Sequence, residues 1–247
     1  MSGDDPSLVF FGSFDPAYPR NAIIREGWRR TGRRSSECRA GIKRKVHTRY
    51  PLLLARFFRG DERGGVIFVP DFRHKDVPLA WLLARLTDRR VVFDPLVSRW
   101  ETRVLDRGDA GDGSMQAAHN RNIDRLSFRL PDLVLADTEA HRRFYEREYG
   151  LGNGRVRTLY LGFDDRLFPA APPAPDTGRL RALFYGSFLP LHGAETIVKA
   201  AAALDPEKVE VTMVGSGQTL TAARRLAERL RAPVGFLPPV PVHALAD

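Results

Sequence analysis

The stretch ALFYGSFLPLHGAETIVKAAAAL, residues 182–204, decides how this chain folds. An apolar run ends at Gly186, a short polar turn follows, and apolar residues then recur at helical spacing from Ile197 to Leu204. This pattern predicts a strand, a turn and a helix. The N-terminus of a helix offers unpaired N–H groups and the positive end of a dipole, so the turn is a candidate phosphate site. The alternative is a connection that merely contains glycines.

The same alternation of apolar runs and helical patterns extends over most of the chain. We predict strands at residues 7–11, 65–69, 91–94, 132–137, 156–161, 181–185, 209–214 and 234–237. Continuous apolar strands separated by helices indicate an α/β fold with parallel sheets covered on both faces. Ligands of such sheets bind where the strands end. In the N-terminal half, that edge holds Gly12, Ser13, Asp71, Asp94 and Asp137.

A proline-rich segment, residues 168–178, divides the chain into two predicted domains. Repeated prolines neither continue a helix nor pair inside a sheet, so we interpret the segment as an interdomain linker. Residues 1–167 are predicted to form an N-terminal Rossmann-like domain, and residues 179–247 part of a C-terminal one. The second shows three strands, whereas a complete doubly wound domain has about six. We therefore expect the chain to end within its C-terminal domain.

Positive charge is concentrated in one stretch, residues 29–49. The chain carries a net charge of +9, and this stretch holds nine Lys and Arg residues but a single acid, Glu37. Such a segment attracts polyanions or an anionic membrane surface; the alternative is an ordinary solvated face. Aromatic residues are scarce among these arginines, so base stacking is poorly supported and no nucleic acid is expected as a partner.

The composition favours a cytoplasmic globular protein. A single cysteine, Cys38, excludes an internal disulfide and a cysteine-based metal cluster. No apolar run is long enough to span a bilayer, and the first residues are acidic and polar rather than typical of a signal peptide.

A second glycine turn, VGSGQTL at residues 214–220, follows the next predicted strand. Gly215 and Gly217 would let the backbone approach a ligand. Leu220 stands where the dinucleotide fingerprint has its third glycine, so NAD binding is disfavoured. No Gly-Lys-Ser/Thr ends a glycine loop, which excludes a Walker-type nucleotide hydrolase. The alternative is a tight turn from strand to helix.

Taken in order, these stretches resemble the retaining glycosyltransferases of family four, whose GT-B fold has two facing Rossmann-like domains. In the C-terminal half the resemblance rests on LYLGFDDRLFPA (159–170), LFYGSFLPLHGAETIVKAAAAL (183–204), VEVTMVGSGQTL (209–220) and VGFLPPVPVHALAD (234–247). In the N-terminal half, FFGSFDPAYPRN (10–21), FDPLVSRWETRVLDR (93–107) and DLVLADTEAHRRFY (132–145) resemble one bacterial branch of that family. The last C-terminal stretch is similar to the family's segment near the nucleotide base.

The resemblance implies a nucleotide-diphosphate sugar as donor, bound without a metal or another cofactor. The positions that match its donor-binding motifs are Gly12, Gly186, Ser187, His192, Gly193, Gly215 and Gly217. Two departures stand out, because the family usually has Arg at the position of Ser187 and Lys at that of His192. For His192 the alternative is a residue at a helix N-terminus with no ligand. The family's paired glutamates would lie past Asp247, so we expect this fragment alone to be inactive.

On the acceptor side the candidates are Arg20, Asp94 and His74; Arg20 could contact either the acceptor or a phosphate, and the other two are also candidates for catalysis. Their alternatives are a surface arginine, a helix-start cap and a solvated loop residue; for Gly12 the alternative is a strand-to-helix turn. The implied reaction transfers a sugar, with retention, to a lipid-linked or saccharide acceptor in cell-envelope polysaccharide synthesis, at or near the inner membrane. The competing functions are a basic membrane- or nucleic-acid-binding module and an inactive nucleotide-binding fragment.

Overall fold

Short parallel strands alternate with helices in the computed structural model, which describes residues 7–60, 65–108, 111–152, 154–166, 168, 170 and 178–241. The strands are β1 Leu8–Gly12, β2 Ser35–Arg39, β3 Val66–Val69, β4 Arg90–Phe93, β5 Leu133–Ala136, β6 Val156–Thr158, β7 Leu180–Gly186, β8 Val209–Gly215 and β9 Val234–Leu237. The α-helices are α1 Pro19–Arg30, α2 Val46–Arg59, α3 Val77–Leu86, α4 Met115–Arg129, α5 Glu139–Tyr149, α6 Ala194–Ala203 and α7 Leu220–Leu230. Two 3₁₀ turns, His74–Asp76 and Pro190–His192, and a π-helical segment, Glu101–Asp106, complete the described helical structure.

The first sheet has six parallel strands in the order β2-β1-β3-β4-β5-β6. The chain moves one way from β1 to β2 and then crosses back to β3. Because such crossovers are right-handed, α1 covers one face and α2 to α5 cover the other. Trp28 of α1 accordingly packs on the Phe10 side of the sheet, whereas Leu53, Leu83 and Phe128 belong to the core on the opposite side. The crevice for a ligand in this topology lies between β1 and β3.

Two elements of the first sheet and its helices are not predicted by the sequence patterns, and both are polar. The strand β2, with sequence SSECR, buries only Cys38 and lies at the sheet edge, where its backbone pairs with β1. The helix α4 buries polar side chains, among them Asn120, Asp124 and Ser127. Because hydrophobic periodicity marks neither element, an edge strand and a helix with a partly polar buried face escape a pattern search.

The second sheet has three parallel strands in the order β7-β8-β9, and the helices that the structure describes here cover one of its faces. Both crossovers move in the same direction, so α6 and α7 lie on the same side. On that side Phe184, Met213 and Phe236 join the core. On the other, Leu183 and Tyr185 are 57% and 59% exposed. The prediction that both faces of each sheet are covered is therefore wrong for the described part of this sheet.

The chain divides into two compact units, Met1–Phe163 and Asp164–Asp247. Most of the predicted linker, residues 168–178, lies outside the described residues. The strand predicted at residues 156–161 ends earlier, at Thr158. The next carbonyl, that of Leu159, accepts hydrogen bonds from the Arg20 guanidinium rather than from a neighbouring strand.

The basic stretch, residues 29–49, is divided among the end of α1, the strand β2, a loop and the start of α2. Several of its cations have carboxylate partners, since Arg29 and Arg30 contact Glu26 and Arg39 lies 3.5 Å from Glu37. Two parts of the stretch are exposed without interruption: residues 29–35, and the loop at residues 41–45 with sequence GIKRK. Within the described residues, no helix combines the length and apolar character needed to cross a bilayer.

Candidate functional site

The carboxylate of Asp76 organises the turn that follows β1. Its Oδ2 accepts a hydrogen bond from the Ser13 amide at 3.0 Å, and its Oδ1 lies 2.6 and 2.7 Å from two nitrogens of Arg49. Gly12 has a φ of +125°, and a Cβ there would lie 2.9 Å from Oδ2 of Asp76. The glycine predicted to admit a donor phosphate therefore makes room for a carboxylate of the protein itself.

Arg20 and Asp94, predicted separately as candidates, form one buried ion pair. Nε of Arg20 lies 2.6 Å from Oδ2 of Asp94, and both terminal nitrogens of the guanidinium donate to the Leu159 carbonyl at 3.2 Å. Burial raises the pKa of Asp94, and the hydrogen bond from Arg20 opposes that rise. Arg20 is thus no surface residue and Asp94 no helix cap. Together they tie α1 to the end of β4 and to the segment after β6.

Asp71, at the end of β3, is a buried carboxyl group that can change its protonation near neutral pH. It is 4% exposed, and its Oδ1 has no hydrogen-bond partner within the described part of the chain. Burial raises its pKa to about 6; the nearby charge of Asp94 adds to the rise, whereas a hydrogen bond from Asn21 opposes it. A carboxyl group of this kind is suited to proton transfer, and it lies at the predicted ligand edge.

His74 is buried rather than solvated. Its side chain is 1% exposed, its ring packs edge-on against Phe93 with centroids 5.1 Å apart, and neither ring nitrogen has a hydrogen-bond partner among the described residues. Burial, together with the nearby Arg99, lowers the pKa of His74 to about 3. The ring is therefore neutral at physiological pH and offers no surface to an acceptor in this conformation. Its contact with an acceptor stays a prediction.

In the second unit, the two predicted glycine turns contact each other backbone to backbone. Gly186 and Gly215 are register partners at the ends of β7 and β8. Gly215 has a φ of +139°, and a Cβ there would lie 1.9 Å from the Gly186 carbonyl oxygen. At Gly217, with a φ of +150°, a Cβ would lie 1.7 Å from the Ser187 carbonyl oxygen. These two glycines are therefore required by the protein's own packing, whatever a ligand requires.

A cavity of about 250 Å³ opens at the ends of β7 and β8. The hydroxyl-bearing side chains in its lining, all of them exposed, are Tyr185, Ser187 and Ser216. The segment whose sequence resembles a nucleotide-base region also reaches this cavity, through Pro239 and Val240. The full lining consists of Tyr185, Gly186, Ser187, Val214, Gly215, Ser216, Pro239 and Val240.

The N-terminus of α6 follows the first glycine turn directly. Gly193 adopts a φ of +62°, and its amide donates to the Pro190 carbonyl at 3.1 Å, so this amide is already used within the turn. The next two amides, of Ala194 and Glu195, have no hydrogen-bond partner among the described residues. Ala194 is buried and Glu195 is exposed, so the Glu195 N–H is the one of these two that a ligand can reach.

His192 lies against the turn that contains Gly186. Its ring packs against Phe184 with centroids 5.9 Å apart, and a Cβ added to Gly186 would lie 3.3 Å from its Nδ1. That Nδ1 is buried and lacks a hydrogen-bond partner within the described residues. The structure thus places His192 beside the predicted phosphate turn, although contact with a ligand stays a prediction.

The sequence patterns identify the strand ends and the carboxylates Asp71 and Asp94 that follow them, but not the ion pair between Asp76 and Arg49. Asp76 and Arg49 are missed because 27 residues separate them and neither follows a strand directly. Asp71 can be identified from the sequence as a residue at the ligand edge, since it lies two residues after the apolar strand β3. Within the described residues, no group of three or more His, Cys, Asp and Glu side chains is arranged to hold a metal ion.

No protein-family model matches this chain, and no curated protein sequence matches it significantly. Solved structures do match. HepE of Anabaena in complex with UDP-glucose is 15% identical with a TM-score of 0.64, covering 96% of this chain and 70% of HepE. Sucrose-phosphate synthase of Thermosynechococcus elongatus is 16% identical with a TM-score of 0.68, covering 98% and 72% of the two chains. WaaG, a glycosyltransferase involved in lipopolysaccharide biosynthesis, is 14% identical with a TM-score of 0.60 at the same coverage.

These similarities establish the fold. The chain has a GT-B-like α/β fold with Rossmann-like units and parallel sheets, as the sequence predicts. Identities of 14–16% leave activity to be argued from the site itself.

We expect Asp71→Asn to stabilise the protein at neutral pH. The folded pKa of about 6 exceeds the ordinary value of 3.8, so the native state loses stability as pH rises between these two values. Asn has nearly the same shape and never ionises. Its advantage should be about 3 kcal/mol near pH 7.5 and should vanish below about pH 4. Urea unfolding at both pH values measures this, and a pH-independent difference would contradict the raised pKa.

Gly215→Ala should destabilise the second unit by about 2 kcal/mol or more, because the new Cβ would meet the Gly186 carbonyl at a strained φ. The matched control is Gly235→Ala on β9, where the nearest atom to a Cβ would be 3.8 Å away. That change should alter stability by less than about 1 kcal/mol. Thermal unfolding followed by circular dichroism compares the two, and equal midpoints would show that the turns can separate freely.

Proposed function

We propose that this protein is a glycosyltransferase that takes a sugar from a nucleotide-diphosphate donor and transfers it to a saccharide or lipid-linked acceptor. The observation that carries the proposal is the cavity at the ends of β7 and β8, where the two glycine turns and the hydroxyls of Ser187 and Ser216 meet. No Asp or Glu of the described chain lines it, so nothing in its lining repels a diphosphate. The fold is also that of a HepE structure holding UDP-glucose, which supports a nucleotide-sugar donor.

The chemistry that we assign to the second unit is stabilisation of the leaving diphosphate. When the bond between the anomeric carbon and the phosphate oxygen breaks, the electron pair stays on that oxygen and negative charge grows there. Amides and a helix dipole that are fixed before the reaction can stabilise this charge without reorganising. The amide of Glu195 and the hydroxyl of Ser187, both on exposed residues, are our candidates for this role. The resemblance to family four supports retention of configuration and a reaction that needs no metal or other cofactor.

The proposed donor site carries less fixed positive charge than that family usually provides. Ser187 and His192 replace an arginine and a lysine, and Glu195 places an exposed carboxylate in the first turn of α6. We therefore expect the nucleotide sugar to bind weakly, through uncharged hydrogen-bond donors of the protein.

We assign the acceptor to the first unit, at the strand ends that hold Asp71 and Asp94. The exposed loop at residues 41–45 supports a peripheral position on the cytoplasmic face of an anionic membrane, where lipid-linked envelope precursors are found. This loop combines three cations with Ile42, which is 46% exposed. Charges attract such a loop to acidic headgroups, and the apolar side chain can enter the interface.

Ser187→Asp should weaken UDP binding at least about tenfold, since it adds a negative charge where we place the diphosphate. The matched control is Ser187→Asn, which has nearly the same size without the charge and should change affinity less than about threefold. Ser187 is exposed, so neither change disturbs the core. Isothermal titration calorimetry with UDP gives the dissociation constants. If both variants bind UDP as wild type does, the nucleotide does not bind at this turn.

Lys43→Glu/Lys45→Glu should weaken binding to phosphatidylglycerol vesicles, and wild-type binding should fall steeply between about 50 and 300 mM salt. Arg125→Glu/Arg147→Glu makes the same change in charge at exposed positions on α4 and α5 and serves as the control. Co-sedimentation measures both. Equal losses in the two variants would mean that net charge, and not this loop, attracts the protein to the vesicles.

A further inference from the structure

A strongly basic cavity of about 330 Å³ lies in the first unit, apart from the glycine-turn cavity of the second. It is built from the segments that follow β3 and β4, together with the π-helical segment and one residue of α2. No Asp or Glu of the described chain lines it. Its lining residues are Arg49, Phe72, Arg73, His74, Lys75, Val97, Arg99, Thr102, Arg103 and Arg107.

The six cations of this cavity are poorly neutralised. Arg49 is the one with a carboxylate partner within 4 Å among the described residues, namely Asp76. Arg73 and Arg99 donate to neutral oxygens, at 2.7 Å to the Ser13 carbonyl and at 3.1 Å to the Asn120 side chain. Lys75, Arg103 and Arg107 have no side-chain hydrogen bond or ion pair to any described residue.

Mutual repulsion accompanies this crowding. Burial lowers the pKa of Lys75, and the neighbouring charges of Arg99, Arg49 and Arg103 lower it further. The pKa of Arg99 is lowered by burial and then by Arg103. His74 lies on the same wall and is neutral, so it does not offset the positive charge of these cations. Like charges held together in this way destabilise the empty site, and an anion with several oxygens relieves the repulsion.

The cavity is also held in place by buried hydrogen bonds. Asp124 of α4 accepts from the Ser98 hydroxyl and from the Trp100 amide, each at 2.8 Å, so the segment that carries Arg99 is fixed on both sides. The cavity lies at the carboxyl edge of β3 and β4, where ligands of parallel sheets bind. Guanidinium groups match phosphate oxygens with two parallel hydrogen bonds, which a fixed arginine cluster favours.

From these contacts we infer that the basic cavity binds a phosphate group, and that the acceptor of the proposed transfer reaction carries this phosphate. The second part rests on the proposed function, whereas the first stands on the cavity alone. The phosphate can belong to a lipid headgroup or to a soluble phosphorylated molecule; the chemistry of recognition is shared.

Titration of the full chain with inorganic pyrophosphate, in the presence of saturating UDP, tests the inference. Lys75→Gln/Arg103→Gln removes two cations without carboxylate partners and should weaken pyrophosphate binding more than about tenfold. Arg125→Gln/Arg147→Gln removes the same charge from exposed positions and should change affinity less than about threefold. Equal affinities in wild type and in the Lys75/Arg103 variant would overturn the inference, and so would equal losses in the two variants.

Thermal unfolding guards against a folding artefact. Pyrophosphate should raise the midpoint of the wild type and of the control but not that of Lys75→Gln/Arg103→Gln, whose own midpoint should equal or exceed the wild-type value. A shift of the same size in all three proteins would overturn the inference. UDP binding that is lost in Ser187→Asp but kept in Lys75→Gln/Arg103→Gln separates the donor site from this cavity, so each proposal can fail alone.

Vesicles that contain phosphatidic acid distinguish the two sources of phosphate. If Lys75→Gln/Arg103→Gln loses both pyrophosphate and vesicle binding, the cavity takes a lipid headgroup. If it loses pyrophosphate binding and keeps vesicle binding, the cavity takes a soluble phosphate and the loop at residues 41–45 accounts for the vesicles. Vesicle binding that is lost while pyrophosphate binding is unchanged would overturn the inference.

Discussion

The buried carboxylate of Asp76 is the constraint on which the first unit depends. It joins the turn after β1, through the Ser13 amide, to α2, through Arg49, and it sits at the start of α3. Removing one member of such a pair leaves an uncompensated buried charge, at a cost of about 3–5 kcal/mol. Arg49 also lines the basic cavity. The contact between Asp76 and Arg49 therefore fixes one wall of that cavity as well as the turn after β1.

In the second unit, backbone contacts and not a buried ion pair fix the turns at the strand ends. There, carbonyl oxygens of one turn occupy the space that side chains would need at Gly215 and Gly217. Thr219 adds two donors, its amide and its hydroxyl, to the Phe188 carbonyl at 2.9 and 2.8 Å. One unit thus presents fixed charge at its strand ends, whereas the other presents backbone and hydroxyl groups. This difference agrees with the proposal that the first unit binds an anionic acceptor and that the second binds a diphosphate through uncharged N–H and O–H groups.

Much of this architecture can be predicted from sequence, for a definite reason. Apolar runs such as VIFV of β3 are buried on both faces, so composition alone identifies them. The edge strand β2 is not predicted from the sequence, because it is held by backbone pairing with β1 and not by an apolar run. Contacts that depend on distant partners escape as well: Arg20 and Asp94 are both found at strand or helix ends, but their pairing across 74 residues has no local signal. The positions of the glycine turns are predicted, whereas the internal reason for the glycines is visible only in three dimensions.

The face of the second sheet that the described helices leave uncovered affects how readily molecules of this chain associate. Tyr185, Val214 and Leu237 lie in register across its three strands; Tyr185 and Leu237 are 59% and 50% exposed, whereas Val214 between them is buried. Sheets stack face to face at about 10 Å, so such rows on two molecules can adhere. The net charge of +9 opposes this at long range, but a Debye length of about 10 Å at 0.1 M salt removes most of the repulsion. We therefore expect added salt to lower the colloidal stability of this basic protein, since salt screens the charges and leaves the attraction between apolar side chains intact.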